Sequence, residues 1–309
     1  MLIDLIEESV KDTCSLFIKG YSYSKESIYD DKFHLDRAAE WLLRSIRYGR
    51  GGSSSHYNLL TSSWSLPFPE TTGYIIPTLY NYYKFSNKKI YSLFAEKAAT
   101  WLSEVQLANG GCMGGHFSVN KGNESAIIFN TGQNIFGFNR AYKETNKTHY
   151  LNCSIKAGNL LIKSTSSEGI WNKYLYNSIP HTYNSRCCWA LLELFELTGN
   201  EIYRDIAIKN LDWILEQQLS NGWFQYCNFK EKDYPNTHGI AYTLRGLLES
   251  YVLTGDERLL KSSEITAWKL LEIYNEKNFL PTFWNNTWHP LNKFPGTMKY
   301  FRKDKCIFT

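Results

Sequence analysis

Ser86-Asn-Lys-Lys-Ile-Tyr91, Thr145-Asn-Lys-Thr-His-Tyr150, Thr198-Gly-Asn-Glu-Ile-Tyr203 and Thr254-Gly-Asp-Glu-Arg-Leu259 are four versions of one turn, recurring every 53 to 59 residues or about one repeat of 56. Each opens on a hydroxyl residue, places Asn or Gly second and closes on a large side chain. The flanking segments, such as 240–251 and 259–271, carry apolar residues at helical rather than alternating spacing. Two helices of roughly 15 residues and their connections fill such a period, and a hairpin of that kind cannot bury its apolar face alone. The chain therefore predicts stacked helical hairpins with almost no strand.

A second punctuation follows each hairpin. Arg47 to Gly51, Gln106 to Gly110, Thr165 to Gly169 and Gln218 to Gly222 read as second helices ending on a left-handed glycine. Five hairpins result when 1–19 is paired with 35–47 as the first. The connections are unequal: the turns are short, whereas 49–69, 107–129, 166–182 and 219–236 are long. All long loops then share one face, where the first helices begin. The expected fold is all-α, an α/α toroid of the incomplete (α/α)6 type, spanning 1–309 as one domain with 281–309 as a tail. Loops on a rigid scaffold are where binding and catalysis gather.

Composition narrows the partners. The 309-residue chain is 43% hydrophobic, enough for a large core, and its net charge of +4 with no Lys/Arg block argues against nucleic acid. The N-terminus carries acidic residues where a signal peptide needs basic ones, and no apolar run reaches about 18 residues, so neither a leader nor a membrane span is expected and the placement is cytoplasmic. Seven scattered cysteines without a C-x-x-C pair read as reduced core residues. No His/Cys/carboxylate spacing fits a metal, and no cofactor motif is present.

Four segments carry a resemblance: Phe68-Pro-Glu-Thr-Thr-Gly-Tyr-Ile-Ile-Pro77, Phe129-Asn-Thr-Gly-Gln133, Tyr183-Asn-Ser-Arg-Cys-Cys-Trp-Ala-Leu-Leu192 and Thr237-His-Gly-Ile-Ala-Tyr-Thr-Leu-Arg-Gly-Leu-Leu248. From about residue 35 to 290 the chain resembles bacterial terpenoid-cyclase-like α/α toroid proteins of surface-polysaccharide biosynthesis. Gln218-Leu-Ser-Asn-Gly-Trp223 also resembles the glutamine-tryptophan repeat of squalene cyclases. The resemblance implies the toroid and action on a sugar or glycan. The Asp-x-Asp-Asp and Asp-Asp-x-x-Asp clusters of terpene cyclases are missing from the first helices, because Asp30-Asp31 precedes a second helix. That absence disfavours cyclisation. After the Trp284–Trp288 region only a basic tail, 299–305, remains where the family continues into another helix, so a ring short of its last member is expected.

Aligning the hairpins on their turns makes Thr72, Thr131, Asn184 and Ile240 equivalent. Two places later come Tyr74, Gln133, Arg186 and Tyr242, and two places earlier Glu70, Phe129, Thr182 and His238. His238, Tyr242, Arg245 and Glu249 form one helical stripe. Arg186 or Arg245 suits a sugar carboxylate as a bidentate fork, and helix N-termini favour a bound anion by about 0.3–1 kcal/mol each. His238, Tyr242 or Tyr183 would then move the C5 proton of an acidic sugar, giving epimerisation, or elimination if the 4-linked group departs. Glu70 would be the general acid of a glycoside hydrolase. Tyr74, Gln133 and Asn236 are candidate substrate contacts, with Trp64, Trp171 and Trp223 as stacking faces for sugar rings. Each has a structural counterpart. Thr72, Thr131, Asn130 and Asn184 suit helix caps, and Arg140, Glu193 and Glu249 suit ion pairs between neighbouring repeats. Three functions stay open: an epimerase or lyase acting on a glycan, a non-catalytic glycan-binding or scaffold subunit, and an isoprenoid-processing enzyme. A homo-oligomer completing the ring fits any of them.

Overall fold

The computed structural model describes residues 29–118, 125–231 and 234–291. Among them nine helices carry the fold: α1 (Asp31–Tyr48), α2 (Pro69–Ser86), α3 (Ile90–Glu104), α4 (Ile128–Thr145), α5 (Thr148–Lys163), α6 (Ser185–Thr198), α7 (Glu201–Glu216), α8 (Thr237–Thr254) and α9 (Glu257–Lys277). The expected first helix, 1–19, the basic tail, Cys14 and Cys306 lie outside the described residues. A two-stranded ribbon, β1 (Tyr57–Asn58) with β2 (Ser63–Trp64), interrupts the otherwise helical chain. Hairpin periodicity gives no warning of it. Tyr57 faces Trp64 across the ribbon, and the two rings lie 5.4 and 4.5 Å from Trp41 of α1, so aromatic packing supports a pairing too short to stand alone.

The repeated turn is built the same way four times. Ser86, Thr145, Thr198 and Thr254 each donate the hydroxyl to the carbonyl four residues back, at 2.8, 2.7, 2.8 and 2.7 Å. Each also accepts the N–H two residues ahead. The next residue is left-handed in every case, Asn87 (φ 55°), Asn146 (φ 56°), Gly199 (φ 66°) and Gly255 (φ 70°), which is why only Asn and Gly appear there. Asn200 and Asp256 then cap α7 and α9 through N–H groups of Ile202 and Arg258. Tyr91, Tyr150, Tyr203 and Leu259, which close the motif, are all buried.

The long-loop glycines named above have the positive φ expected, from 79° at Gly169 to 134° at Gly51, but Gly110 and Gly169 are not helix caps. Helix α3 ends at Glu104 and α5 at Lys163, well short of Gly110 and Gly169. Their role is close approach: a Cβ on Gly110 would stand 2.3 Å from the Lys156 carbonyl oxygen, and one on Gly169 would stand 2.4 Å from Lys209 Cβ. Each loop is thereby clamped to the following second helix.

The contacts gather into two units. Described residues up to Leu107, with Cys112–Ser125 and Phe136–Cys153, form the first; Ala108–Gly111, Ala126–Ile135 and those from Ser154 onward form the second. In the first, α2 packs on α3 and α1 on both, around Ile46, Ile76, Leu79, Leu102 and Phe138. In the second, α6 packs on α7 and α8, and α9 on α8 and α7, around Leu191, Leu194, Ile214 and Leu247. Cys112, Cys153, Cys187, Cys188 and Cys227 are buried, and burial pushes the Cys227 thiol up to about 11. No helix among the described residues is long and apolar enough to cross a membrane.

Gly110→Ala combines a left-handed backbone with a backbone clash and is expected to cost about 2–4 kcal/mol. Gly255→Ala, where nothing lies within 4 Å of the new methyl, should cost about 1 kcal/mol. Urea unfolding midpoints of the two variants measure the difference, and equal losses would refute the clamp.

Candidate active site

Helix α6 is approached by its neighbours at two glycines. A Cβ on Gly246 of α8 would stand 2.3 Å from the Ser185 carbonyl carbon and 2.5 Å from Arg186 N, and one on Gly132 of α4 would stand 2.5 Å from Cys187 Sγ. Ser185 Oγ spans the first contact, donating to Thr243 O at 3.0 Å. The first turn of α6 is thus drawn against the middle of α8 and the second turn of α4, and Gln133, Arg186 and Tyr242 become neighbours.

Gln133 Oε1 accepts from Arg186 Nε at 2.9 Å, while Gln133 Nε2 donates back to Phe129 O at 3.2 Å. Gln133 is fully buried, so this pairing fixes the plane of a half-buried guanidinium. Arg186 Cζ lies 4.8 Å from the Tyr242 ring centre and 5.5 Å from that of Trp189, within cation–π range of both. Tyr242 stacks on Phe129 at 5.4 Å and meets His238 at 4.1 Å. Phe129 meets Tyr183 edge-on at 5.2 Å, and Tyr183 stacks on His181 at 4.4 Å.

Charge in this cluster is tilted to the positive. Desolvation, and then the nearby Arg186 charge, hold the His238 imidazole below its ordinary pKa although the residue keeps solvent-exposed surface, so it is neutral at pH 7. Burial likewise lowers His181, whose Nε2 donates to Tyr176 O at 2.8 Å. Arg245 is exposed on the same stripe as His238, pairs with Glu249 one turn on and has its Cζ 5.8 Å from the Trp189 ring centre.

The structure therefore brings Gln133, Tyr183, Arg186, His238, Tyr242 and Arg245 into one region of the second unit. Glu70, Tyr74 and Trp64 belong to the first unit. Glu70 is half-buried in the first turn of α2, Tyr74 packs against that unit's core, and Trp64 lies on the β1–β2 ribbon. Asn236 caps α8, its Oδ1 accepting from Gly239 N at 2.7 Å. Trp171 and Trp223 are corrected from stacking faces to loop anchors, since only 2% and 4% of their surfaces are exposed and Trp171 Nε1 donates to Leu161 O. Arg140 pairs along its own helix with Glu144 and Arg245 with Glu249, each with a carboxylate one turn ahead, and Glu144 also takes Lys84 of α2, so that ion pair does tie neighbouring repeats. Thr72 and Thr131 do not cap with their hydroxyls. They donate back to Phe68 O and Ile127 O, and Thr72 also holds the loop by accepting Ser53 N–H at 2.8 Å. Asn184 precedes α6 without a side-chain cap bond. Trp189 escaped the sequence reading, and His181, a loop histidine set aside there for want of a metal-ligand spacing, stacks on Tyr183 instead. Trp189 lies one helical turn beyond Arg186, a spacing that points to it.

No sequence-family profile and no curated protein matches the chain. Solved structures do. An unsaturated glucuronyl hydrolase specific for heparin superposes with a TM-score of 0.61 at 16% identity, covering 76% of this chain and 65% of that one. A sugar epimerase from a ruminal bacterium gives 0.62 at 14%, covering 83% and 76%. The family 76 α-mannanase of Bacteroides thetaiotaomicron gives 0.55 at 14%, covering 77% and 65%. The chain has an α/α-toroid fold. Its neighbours are carbohydrate-processing toroids, and it spans just under two thirds (65%) of the hydrolase and the mannanase. At 13–16% identity the likeness concerns the fold.

The pKa of His238 read by NMR titration should lie below about 6.5 and rise in Arg186→Gln, where one of its two depressing causes is gone. Because folding depresses His238 and His181, their contribution to stability is fully present above about pH 6.5 and is lost as pH falls through the folded-state values. An unshifted His238 in the variant would refute the proximity.

Proposed function

We propose that this chain is a carbohydrate-active protein that moves a proton on an acidic sugar or glycan, as an epimerase or lyase of surface-polysaccharide biosynthesis. The observation that carries the reading is the Gln133–Arg186–Tyr242–His238 cluster, in which a guanidinium held by a buried amide stands beside a neutral imidazole and a phenol. Arg186 receives the sugar carboxylate, with Arg245 adding positive charge at the rim. Neutralising that carboxylate acidifies the adjoining C–H. His238, unprotonated at pH 7, takes the C5 proton, and Tyr242 in ring contact with it supplies or relays the proton that returns. Return to the opposite face gives the C5 epimer; loss of the 4-linked group gives a 4,5-unsaturated product. The half-buried ring of Trp189 beside Arg186 offers an apolar wall for a pyranose, while Phe129 and Tyr183 are buried and pack within the cluster.

Two arginines beside these rings weigh against an isoprenoid carbocation, which they would repel. Glu70 remains the candidate acid for a glycoside hydrolase reading. The reading treats 1–309 as one toroid domain and its ligand as a glycan.

In deuterium oxide, incubation with uronate polymers should put deuterium at C5 of recovered sugar, as read by mass spectrometry. His238→Gln should lower the exchange rate by about 10²–10⁴-fold. Arg186→Gln should weaken binding of the acidic substrate as well. Glycan binding without exchange in the wild-type protein would replace this reading with that of a non-catalytic binding subunit.

A further inference from the structure

Three loop segments of the first unit meet beside the β1–β2 ribbon. Ser65 N–H donates to His56 O at 3.0 Å, Phe68 N–H to Ser53 O at 2.8 Å, and Phe117 N–H to Pro67 O at 2.8 Å. Segments 53–56 and 65–68 are thereby stitched together, and the chain at 117 is tied to them. The ribbon is in turn anchored through Tyr57 and Trp64 on Trp41. Loops held in this way can keep side chains at fixed distances.

At the junction Ser55 Oγ lies 2.7 Å from His116 Nε2, 2.8 Å from His56 Nδ1 and 3.0 Å from Ser65 Oγ. A hydroxyl has one proton to give and two lone pairs to receive. It cannot donate to both imidazoles, so at least one of the two rings presents N–H to Ser55. An arrangement in which one ring takes the serine proton while the other donates to the oxygen fits this count. Both nitrogens are within the reach that a nucleophile and its base require, and Ser55 and His56 are exposed.

We propose that Ser55 is a nucleophile for carboxylic esters, with His116 as its base and His56 as hydrogen-bond donor. Oγ bonds to the ester carbonyl carbon as the Oγ proton passes to His116 Nε2, and the carbonyl π pair moves onto oxygen, where the His56 N–H meets it. The alkoxy C–O bond then breaks, the alcohol leaves with the proton from His116, and an acyl-Ser55 remains. Water attacks that acyl carbon by the same relay, releasing the acid and restoring the hydroxyl. The net change is ester plus water to acid plus alcohol. This site stands independently of the cluster in the second unit, and its failure leaves that reading untouched.

The test is labelling of the purified full chain with a fluorophosphonate, with the adduct located by peptide mass spectrometry. Phosphonylation at Ser55, absent in Ser55→Ala and slowed about 10²–10⁴-fold in His116→Gln, is the expected result. Ser63→Ala, a hydroxyl on the same ribbon outside the relay, should label as the wild type does. Circular dichroism confirms that each variant keeps its helices. No adduct on Ser55 in folded wild-type protein, or an unchanged rate in folded His116→Gln, overturns the proposal.

Discussion

The close approach of helices at Gly132 and Gly246 is the constraint on which the second unit depends. With any larger side chain at Gly246, α8 could not bring its backbone against Ser185 and Arg186, since a Cβ there already falls within 2.5 Å of both residues. The tight contact has a direct chemical consequence. It sets Tyr242 one ring away from Arg186, and the matching contact at Gly132 sets Gln133 on the other side of the same reading frame. Without them Gln133, Arg186 and Tyr242 would be three separate polar residues, each solvated or pairing locally.

The turns do complementary work. A hydroxyl bonded four residues back and a left-handed Asn or Gly reverse the chain in a few residues, identically in four hairpins. Short reversals leave little freedom in how far each helix starts from its neighbour's start. That is why residues equivalent by counting from the turns, Gln133, Arg186 and Tyr242, are also equivalent in space. Glycines in the long loops add a second restraint by letting those loops lie against the backbone of the following helix, as Gly110 does on Lys156.

Much of this was legible in the sequence because it is periodic. The turn motif gave the hairpins, and the register gave the grouping of Gln133, Arg186, His238 and Tyr242. What escaped has particular causes. The β1–β2 ribbon is two residues per strand, too short for any alternation to show, and is held by Trp41 from a distant helix. Glycine marks a positive φ equally well at a helix cap and in a loop, so Gly110 and Gly169 were placed correctly in conformation but not in role. A tryptophan in a loop looks the same whether it faces solvent or anchors the loop, and Trp171 and Trp223 do the latter. Arg140 and Arg245 find i,i+4 partners because such a carboxylate is always within reach, whereas the pair between repeats at Glu144 comes from Lys84 of α2, which only packing could reveal. The Ser55–His56–His116 contact joins residues far apart in the chain through backbone bonds among three loops, and no spacing in the sequence announces it.

The central physical claim is that α4 and α6 present Gln133 and Arg186 to one another as a coupled pair. A double-mutant cycle on unfolding free energy with Gln133→Leu, Arg186→Met and the double variant tests it most directly. Direct contact predicts a coupling of about 0.5–3 kcal/mol. Additivity to within about 0.5 kcal/mol would contradict the account, because residues that do not share a hydrogen bond behave that way.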